Sequence, residues 1–135
     1  MAGYSGTPLA KKLGLKDGHR LALLGAPEGF LGVLDPPELA GLTTTLRGRA
    51  SIDVLLLFTT TARELARRFA PARDRMAKNG GLWVCWPKRA SGVVTDLTET
   101  TIRAHGLAAG LVDNKVCDID ETWSGLRFVW RVADR

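Results

Sequence analysis

The sequence predicts a three-layer α/β domain with a mostly parallel sheet, and three observations support that prediction. Short, uninterrupted apolar runs within 20–25, 52–58 and 82–86 are typical of strands that are buried on both faces. Helical patterns separate these runs, as in sheets whose parallel strands are linked by crossover helices. The last two predicted strands are joined by only a few residues, which indicates an antiparallel pair. We therefore expect one antiparallel strand near the C-terminal edge.

The composition is that of a folded protein with a single core. The 135 residues are 45% hydrophobic and 24% charged, so one domain over 1–135 is expected. The longest apolar run, 54–58, is far shorter than the roughly 20 residues needed to span a bilayer. The first 14 residues lack the apolar centre of a secretory signal. We expect a cytoplasmic protein with no membrane partner.

The first half of the chain begins with a predicted short helix over 7–13, with Pro8 at its first position. The strand at 20–25 follows, and it ends in a turn over 25–30. The β-prone segment 43–47 is more polar, which favours a strand near the edge of the sheet.

The strand at 52–58 leads into a predicted helix over 62–78, because apolar residues recur there at helical spacing. Pro71 should kink or restart that helix, since proline removes a backbone donor. The glycines in 79–81 should end it.

After the strand at 82–86, the segment 86–99 (WPKRASGVVTDLTE) passes two cations and a glycine before the next helix. Asp96 and Glu99 stand at the spacing of a capping box, so the helix should begin near Leu97 and end by Gly110. Two strands, at about 112–119 and 126–132, close the chain.

The pattern resembles the Rossmann-like fold of S-adenosylmethionine-dependent methyltransferases. The segment 20–29 stands where the first strand and cofactor loop of that fold lie, and 52–58 resembles its fourth strand. The stretch 76–84 (MAKNGGLWV) is similar to the passage before its fifth strand. The resemblance implies that the last strand lies between those carrying Cys85 and Cys117, about 9–10 Å apart, which is too far for a disulfide.

A second resemblance covers nearly the whole chain. The peptides 4–14 (YSGTPLAKKLG), 24–30 (LGAPEGF), 86–88 (WPK), 95–99 (TDLTE), 113–117 (DNKVC) and 119–127 (IDETWSGLR) resemble blocks of a family of short bacterial proteins classed as a domain of unknown function. That resemblance implies no activity.

Three departures from a working methyltransferase are expected. The cofactor loop has Gly25 and Gly29 but Pro27 between them. Where the second strand of that fold ends in an acid that binds the ribose hydroxyls, this chain offers 46–49 (LRGR), which cannot accept those bonds. The strand that usually precedes the fourth is also expected to be missing.

Ligands of open α/β sheets bind beyond the carboxyl ends of the strands, where the winding direction reverses. The predicted ligand crevice therefore lies between the turns that follow three strands, and 87–92 contributes its cations. Its predicted residues are Gly25, Glu28, Gly29, Thr60, Lys88, Arg89 and Ser91. The alternative to anion binding is that Lys88 and Arg89 lie in a solvated loop, where their charges serve solubility.

No catalytic residue is predicted. Neither His19 nor His105 stands at metal-ligand spacing from the two cysteines, so no metal is expected. The first interpretation is a non-catalytic Rossmann-like protein, without a cofactor, that binds a protein partner or a small anionic ligand. The alternatives are a minimal S-adenosylmethionine-dependent methyltransferase and, given the net charge of +5, a nucleic-acid-associated regulator.

Overall fold

A computed structural model describes residues 6–135 of the chain; Tyr4 and Ser5 of the opening motif lie outside the described residues. The described part has six strands, and these are β1 (Arg20–Leu24), β2 (Gly41–Thr43), β3 (Ile52–Phe58), β4 (Met76–Pro87), β5 (Leu111–Asp118) and β6 (Trp123–Trp130). Its α-helices are α1 (Leu9–Lys12), α2 (Phe30–Leu34), α3 (Ala62–Arg75) and α4 (Glu99–Ala108). Short 3-10 helices cover Arg89–Ser91 and Val132–Asp134.

The strands form one sheet in the order β2-β1-β3-β4-β6-β5. β1 pairs in parallel with β2 and β3, and β3 pairs in parallel with β4. β6 is antiparallel to both of its neighbours, β4 and β5. The prediction of an α/β fold whose sheet is mostly parallel and includes antiparallel pairing is confirmed.

The central strands are apolar on both faces because each face packs against its own cluster of buried side chains. One cluster joins alternate strand residues to α3 and α4, and it includes Leu55, Leu57, Leu82, Phe69, Ile102 and Phe128. The other joins the intervening strand residues to α1, α2 and the following turns, and it includes Leu56, Phe58, Trp83, Leu13 and Phe30. Consecutive residues such as Leu55 and Leu56 therefore serve opposite faces, as the pleat of a strand requires.

β2 differs from its prediction over 43–47: it ends at Thr43. The Thr43 hydroxyl donates to the Thr45 carbonyl (2.9 Å) and accepts from the Thr45 N–H (3.2 Å), and this local turn ends the strand. The guanidinium of Arg75 then donates to the carbonyl oxygens of Leu46, Arg47 and Ala50. Those bonds hold 46–50 beside the amino end of β3 rather than in the sheet.

The helix predicted over 62–78 ends at Arg75, and Pro71 lies inside it without dividing it. The glycines of 79–81, expected to end the helix, lie within β4. Met76 pairs with Ile52 and Gly81 pairs with Val54, so the residues between them form a bulge at the start of β4.

The capping prediction was also wrong. α4 begins at Glu99 with Thr98 as its N-cap, and the capping box joins Thr98 to Thr101 instead of Asp96 to Glu99.

β6 lies between the strands that carry the two cysteines. Gly125 pairs with Cys85 on one side and with Cys117 on the other. The two thiols are free, in agreement with the predicted strand order. Within residues 6–135, no helix combines the length and apolar character that crossing a membrane demands.

Candidate functional site

Three parallel strands end at one edge of the sheet, and the predicted crevice lies there. Leu24 at the end of β1 pairs with Leu57 of β3, and Phe58 pairs with Cys85 of β4. The turns that follow these strands, at 25–29, 59–61 and 88–92, therefore share the carboxyl edge. The structure thus places the 25–29 and 88–92 turns at the same end of the molecule.

The turn after β1 depends on glycine. Gly25 has φ 71° and Gly29 has φ 81°, both in the left-handed region that side chains disfavour. A Cβ at Gly25 would lie 3.0 Å from both Arg68 Nη1 and the Phe58 carbonyl oxygen. The backbone of the turn can pass this close to β3 and α3 only because residue 25 has no side chain.

A cavity of about 320 Å³ lies beside this turn. One wall is formed by the turn from Gly25 to Gly29, with Pro27 in it, and the other wall is formed by Leu42 and Thr44. Phe30 is buried below, edge-on to Phe58 with ring centroids 5.0 Å apart. Pro27 and Phe30 therefore line the cavity without filling it, and its volume is within the roughly 300–1,000 Å³ typical of small-molecule sites.

Of the seven predicted residues, Gly25 and Gly29 line this cavity. Glu28 is exposed in the same turn. The other four, which belong to the turns after β3 and β4, do not line it; they are Thr60, Lys88, Arg89 and Ser91.

The segment after β4 is tied down by its own contacts. Lys88 Nζ lies 3.4 Å from a carboxylate oxygen of Asp118, and the Lys88 N–H donates to the Thr122 carbonyl. The Ser91 hydroxyl donates to the Lys88 carbonyl at 2.7 Å. These contacts explain Lys88 and Ser91 as parts of a packed connection, while Arg89 is exposed on a 3-10 helix.

The same segment is anchored to the turn after β3. The Thr95 hydroxyl donates to the Thr60 carbonyl at 2.6 Å, and Leu97 is buried among the residues below α4. Thr60 thus has a backbone role in joining two turns of the carboxyl edge.

Thr44 and Leu42, which both line the cavity, were missed by sequence reasoning. Because β2 ends at Thr43, the position that follows the second strand is Thr44 and not 46–49 as the sequence analysis placed it. The hydroxyl-rich run of Thr43, Thr44 and Thr45 was the sequence signal for the end of β2, since such side chains form hydrogen bonds to the nearby backbone and end strands. Thr44 is exposed and lines the cavity.

The thiol of Cys85, near the carboxyl end of β4, is not suited to nucleophilic chemistry. Burial raises the pKa of Cys85 well above its ordinary value, and the nearby Cys117 and Asp120 raise the pKa further. Cys85 therefore remains a protonated thiol near neutral pH. The residues that the structure describes contain no cluster of three or more metal-ligating side chains.

No family model and no curated protein matches this sequence. Solved structures do resemble it. Magnesium protoporphyrin IX methyltransferase from Synechocystis PCC 6803 has a TM-score of 0.62 at 11% identity, covering 90% of this chain and 78% of that one. A SAM-dependent methyltransferase from Aquifex aeolicus has a TM-score of 0.61 at 16% identity, with coverage of 89% and 86%. Ribosomal protein L11 methylase from Lactobacillus delbrueckii subsp. bulgaricus has 0.63 at 10%, with coverage of 91% and 75%.

These likenesses define the class of fold: the chain has the Rossmann-like fold of S-adenosylmethionine-dependent methyltransferases. The expectation of a non-catalytic binding protein was wrong, since the similar structures are methyltransferases, some of them holding SAM or its product SAH.

Proposed function

We propose that this protein is a minimal S-adenosylmethionine-dependent methyltransferase whose cofactor binds in the cavity at the carboxyl edge. One observation carries the proposal: the left-handed glycine turn after β1 and Thr44 after β2 line the same cavity of about 320 Å³. That is the place where an open α/β sheet binds a nucleotide-like ligand.

The residues present fit the cofactor in part. At Gly25 the absence of a Cβ lets the backbone approach closely, and the turn can present its amides to a ligand. Thr44 supplies a hydroxyl that can accept a hydrogen bond from a ribose hydroxyl. It replaces the carboxylate expected after the second strand, and a charged acceptor forms a bond roughly twice as strong as a neutral one. We therefore expect weaker cofactor binding than in a site with the acid.

S-Adenosylmethionine supplies an electrophilic methyl group on a sulfonium centre, so the protein must mainly hold the donor and orient an acceptor. The exposed side chains of Glu28 and Arg89 lie in turns at the same edge of the sheet. We propose that these two side chains meet the acceptor, and that Thr60, Lys88 and Ser91 hold in place the turns at this edge through their own contacts.

A calorimetric titration with S-adenosylmethionine and S-adenosylhomocysteine tests the proposal. Thr44→Trp should abolish binding, because the indole would occupy the cavity. Val33→Trp is the matched control, since Val33 is 59% exposed on the neighbouring helix α2 and does not line the cavity.

A gain of affinity is the sharper test. Thr44→Asp restores a charged acceptor and should tighten binding by about tenfold, whereas Thr44→Asn should change it little. Absence of binding to the wild-type protein and to Thr44→Asp alike would refute the proposal.

Several finer expectations belong to the same proposal. The two clusters of buried side chains on opposite faces support a three-layer arrangement in a single domain over 1–135. We also propose that the protein belongs to the bacterial family that its YSGTPLAKKLG segment resembles. A cytoplasmic location is proposed on the sequence features given above.

A further inference from the structure

A second cavity, of about 350 Å³, lies at the opposite, amino edge of the sheet. Its walls come from the end of α1, the turn before β1 and the first residues of β3 and β4. Five cationic side chains line it, and they are Lys11, Lys12, Lys16, Lys115 and Arg127.

The charge of this cavity is not balanced by the protein. Asp53 is its one lining carboxylate, and Asp53 Oδ2 already accepts the Arg20 N–H at 2.8 Å. Within residues 6–135, none of the five lining cations forms an ion pair with a carboxylate. Cations held together without counter-charges repel one another, and an anion between them would relieve that repulsion.

The wall of the cavity that α1 contributes is held in position, because side chains of the sheet form hydrogen bonds to the end of that helix. Trp83 Nε1 donates to the Leu13 carbonyl at 3.1 Å, and Lys115 Nζ donates to the Lys12 carbonyl at 2.8 Å. Lys115 keeps two further N–H groups for a ligand.

His19 adds a ring N–H donor to the same wall. The Lys16 N–H donates to His19 Nδ1 at 3.1 Å, so the neutral imidazole carries its proton on Nε2. That Nε2–H is available for an acceptor.

The Arg127 guanidinium occupies the space that a side chain at position 81 would fill. A Cβ at Gly81 would be 2.8 Å from Arg127 Cζ and Nη2, so glycine at 81 leaves the room that the guanidinium occupies. Burial lowers the pKa of Arg127, and the charge of Arg135 lowers it further. Its polar contact is Asn114 Oδ1, at the long distance of 3.4 Å. A guanidinium in this state gains from an anionic partner.

We propose that this amino-edge cavity binds an oligophosphate, a chain of two or more phosphoryl groups on one ligand. Several cations converging on one cavity match a ligand that carries several negative charges in a small volume. The described lining has no Phe, Tyr or Trp side chain on which a base could stack, which favours a phosphate chain over a single-stranded nucleic acid. The site is separate from the proposed cofactor cavity, so its existence does not depend on the proposed function.

Calorimetric titration with inorganic tripolyphosphate, at about 0.15 M ionic strength, is the experiment. The wild-type protein should bind one equivalent, more tightly than it binds orthophosphate. The double variant Lys11→Ala/Lys16→Ala should weaken binding by at least about tenfold, because it removes two charged donors whose side chains are exposed and not needed for folding.

The matched control is Arg49→Ala/Arg63→Ala, which removes the same charge from exposed residues outside the cavity. It should change the affinity by less than about twofold. Absence of binding to the wild-type protein, or equal weakening in the two double variants, would overturn the site. Displacement of tripolyphosphate by S-adenosylhomocysteine would assign the anion to the carboxyl edge and would also overturn the amino-edge site. If S-adenosylhomocysteine does not bind at all, the proposed cofactor site fails while the tripolyphosphate result still stands.

Discussion

Asp96 accepts a hydrogen bond from the backbone N–H of Ala62, with Oδ1 and N 2.8 Å apart, although the two residues are 34 positions apart in the chain. Ala62 is the first residue of α3, and its N–H has no partner within the helix. Thr61, the N-cap, accepts from the Glu64 N–H at 3.1 Å. The carboxylate of Asp96 therefore completes the cap of α3 and joins it to the segment 86–99.

Replacement of this carboxylate should lower stability by a measurable amount. Asp96→Ala leaves the Ala62 N–H without its acceptor and should reduce the free energy of unfolding by about 1 kcal/mol. Asp96→Asn keeps an oxygen acceptor and should lose less. Urea denaturation measures both, and equal losses in the two variants would contradict the proposed role of the hydrogen bond.

Two glycines in helices should respond in opposite ways to alanine. Gly106 of α4 is buried, and a Cβ there would collide with the ring of Phe128. Gly106→Ala should therefore reduce the free energy of unfolding by about 1–3 kcal/mol, the usual cost of overpacking.

Gly32→Ala is the control for that change. Gly32 lies in α2, and a Cβ there would meet nothing within 4 Å. Because alanine favours helix, Gly32→Ala should leave stability unchanged or raise it by up to about 1 kcal/mol. Thermal unfolding of both variants measures these changes. A Gly106→Ala protein as stable as the wild type would show that α4 is packed less closely on β6 than described.

The buried thiol of Cys85 should make stability fall at alkaline pH. Burial raises the pKa of Cys85 in the folded protein, so the folded state keeps a proton that the unfolded chain releases above its thiol pKa of about 8.5. The stabilisation is fully present below that pH. It should be lost at up to about 1.4 kcal/mol per pH unit as the pH rises toward the folded-state pKa.

Cys85→Ala removes this titration. Its free energy of unfolding should be lower than that of the wild type near neutral pH, because the substitution leaves a small cavity, but it should fall less steeply above pH of about 8.5. Parallel slopes for the two proteins between neutral and alkaline pH would contradict the burial of a protonated thiol.

Much of the sheet could be predicted because its central strands have one consistent signal. The run Ile52–Phe58 is apolar on both faces and lies in the middle of the sheet, where both faces are covered. The position of β6 between β4 and β5 was also correct, and it came from the resemblance to a known fold rather than from the residues themselves.

The errors lie where a distant contact overrides a local pattern. Asp96 and Glu99 have the spacing of a capping box, but Asp96 serves the start of another helix. Gly81 has the pattern of a helix terminator, yet it lies in a strand, where its lack of a side chain leaves room for the Arg127 guanidinium. Neither partner is near in sequence, so no local pattern could reveal it.

The candidate site was predicted in part for the same reason. The turn with Gly25 and Gly29 follows directly from the end of an apolar strand. Thr44 was missed because the end of β2 depends on a hydroxyl turn at Thr43 and on bonds from Arg75, which lies in a helix further along the chain.

The most direct measurement for the cofactor site is a map of backbone amide chemical shifts on addition of S-adenosylhomocysteine to the labelled wild-type protein. The amides of Gly25, Gly29 and Thr44 should shift, because they line the carboxyl-edge cavity, while those of Gly81 and Lys115 at the other edge should not. Shifts confined to the amino edge, or no shifts at a saturating concentration, would contradict the placement of the cofactor.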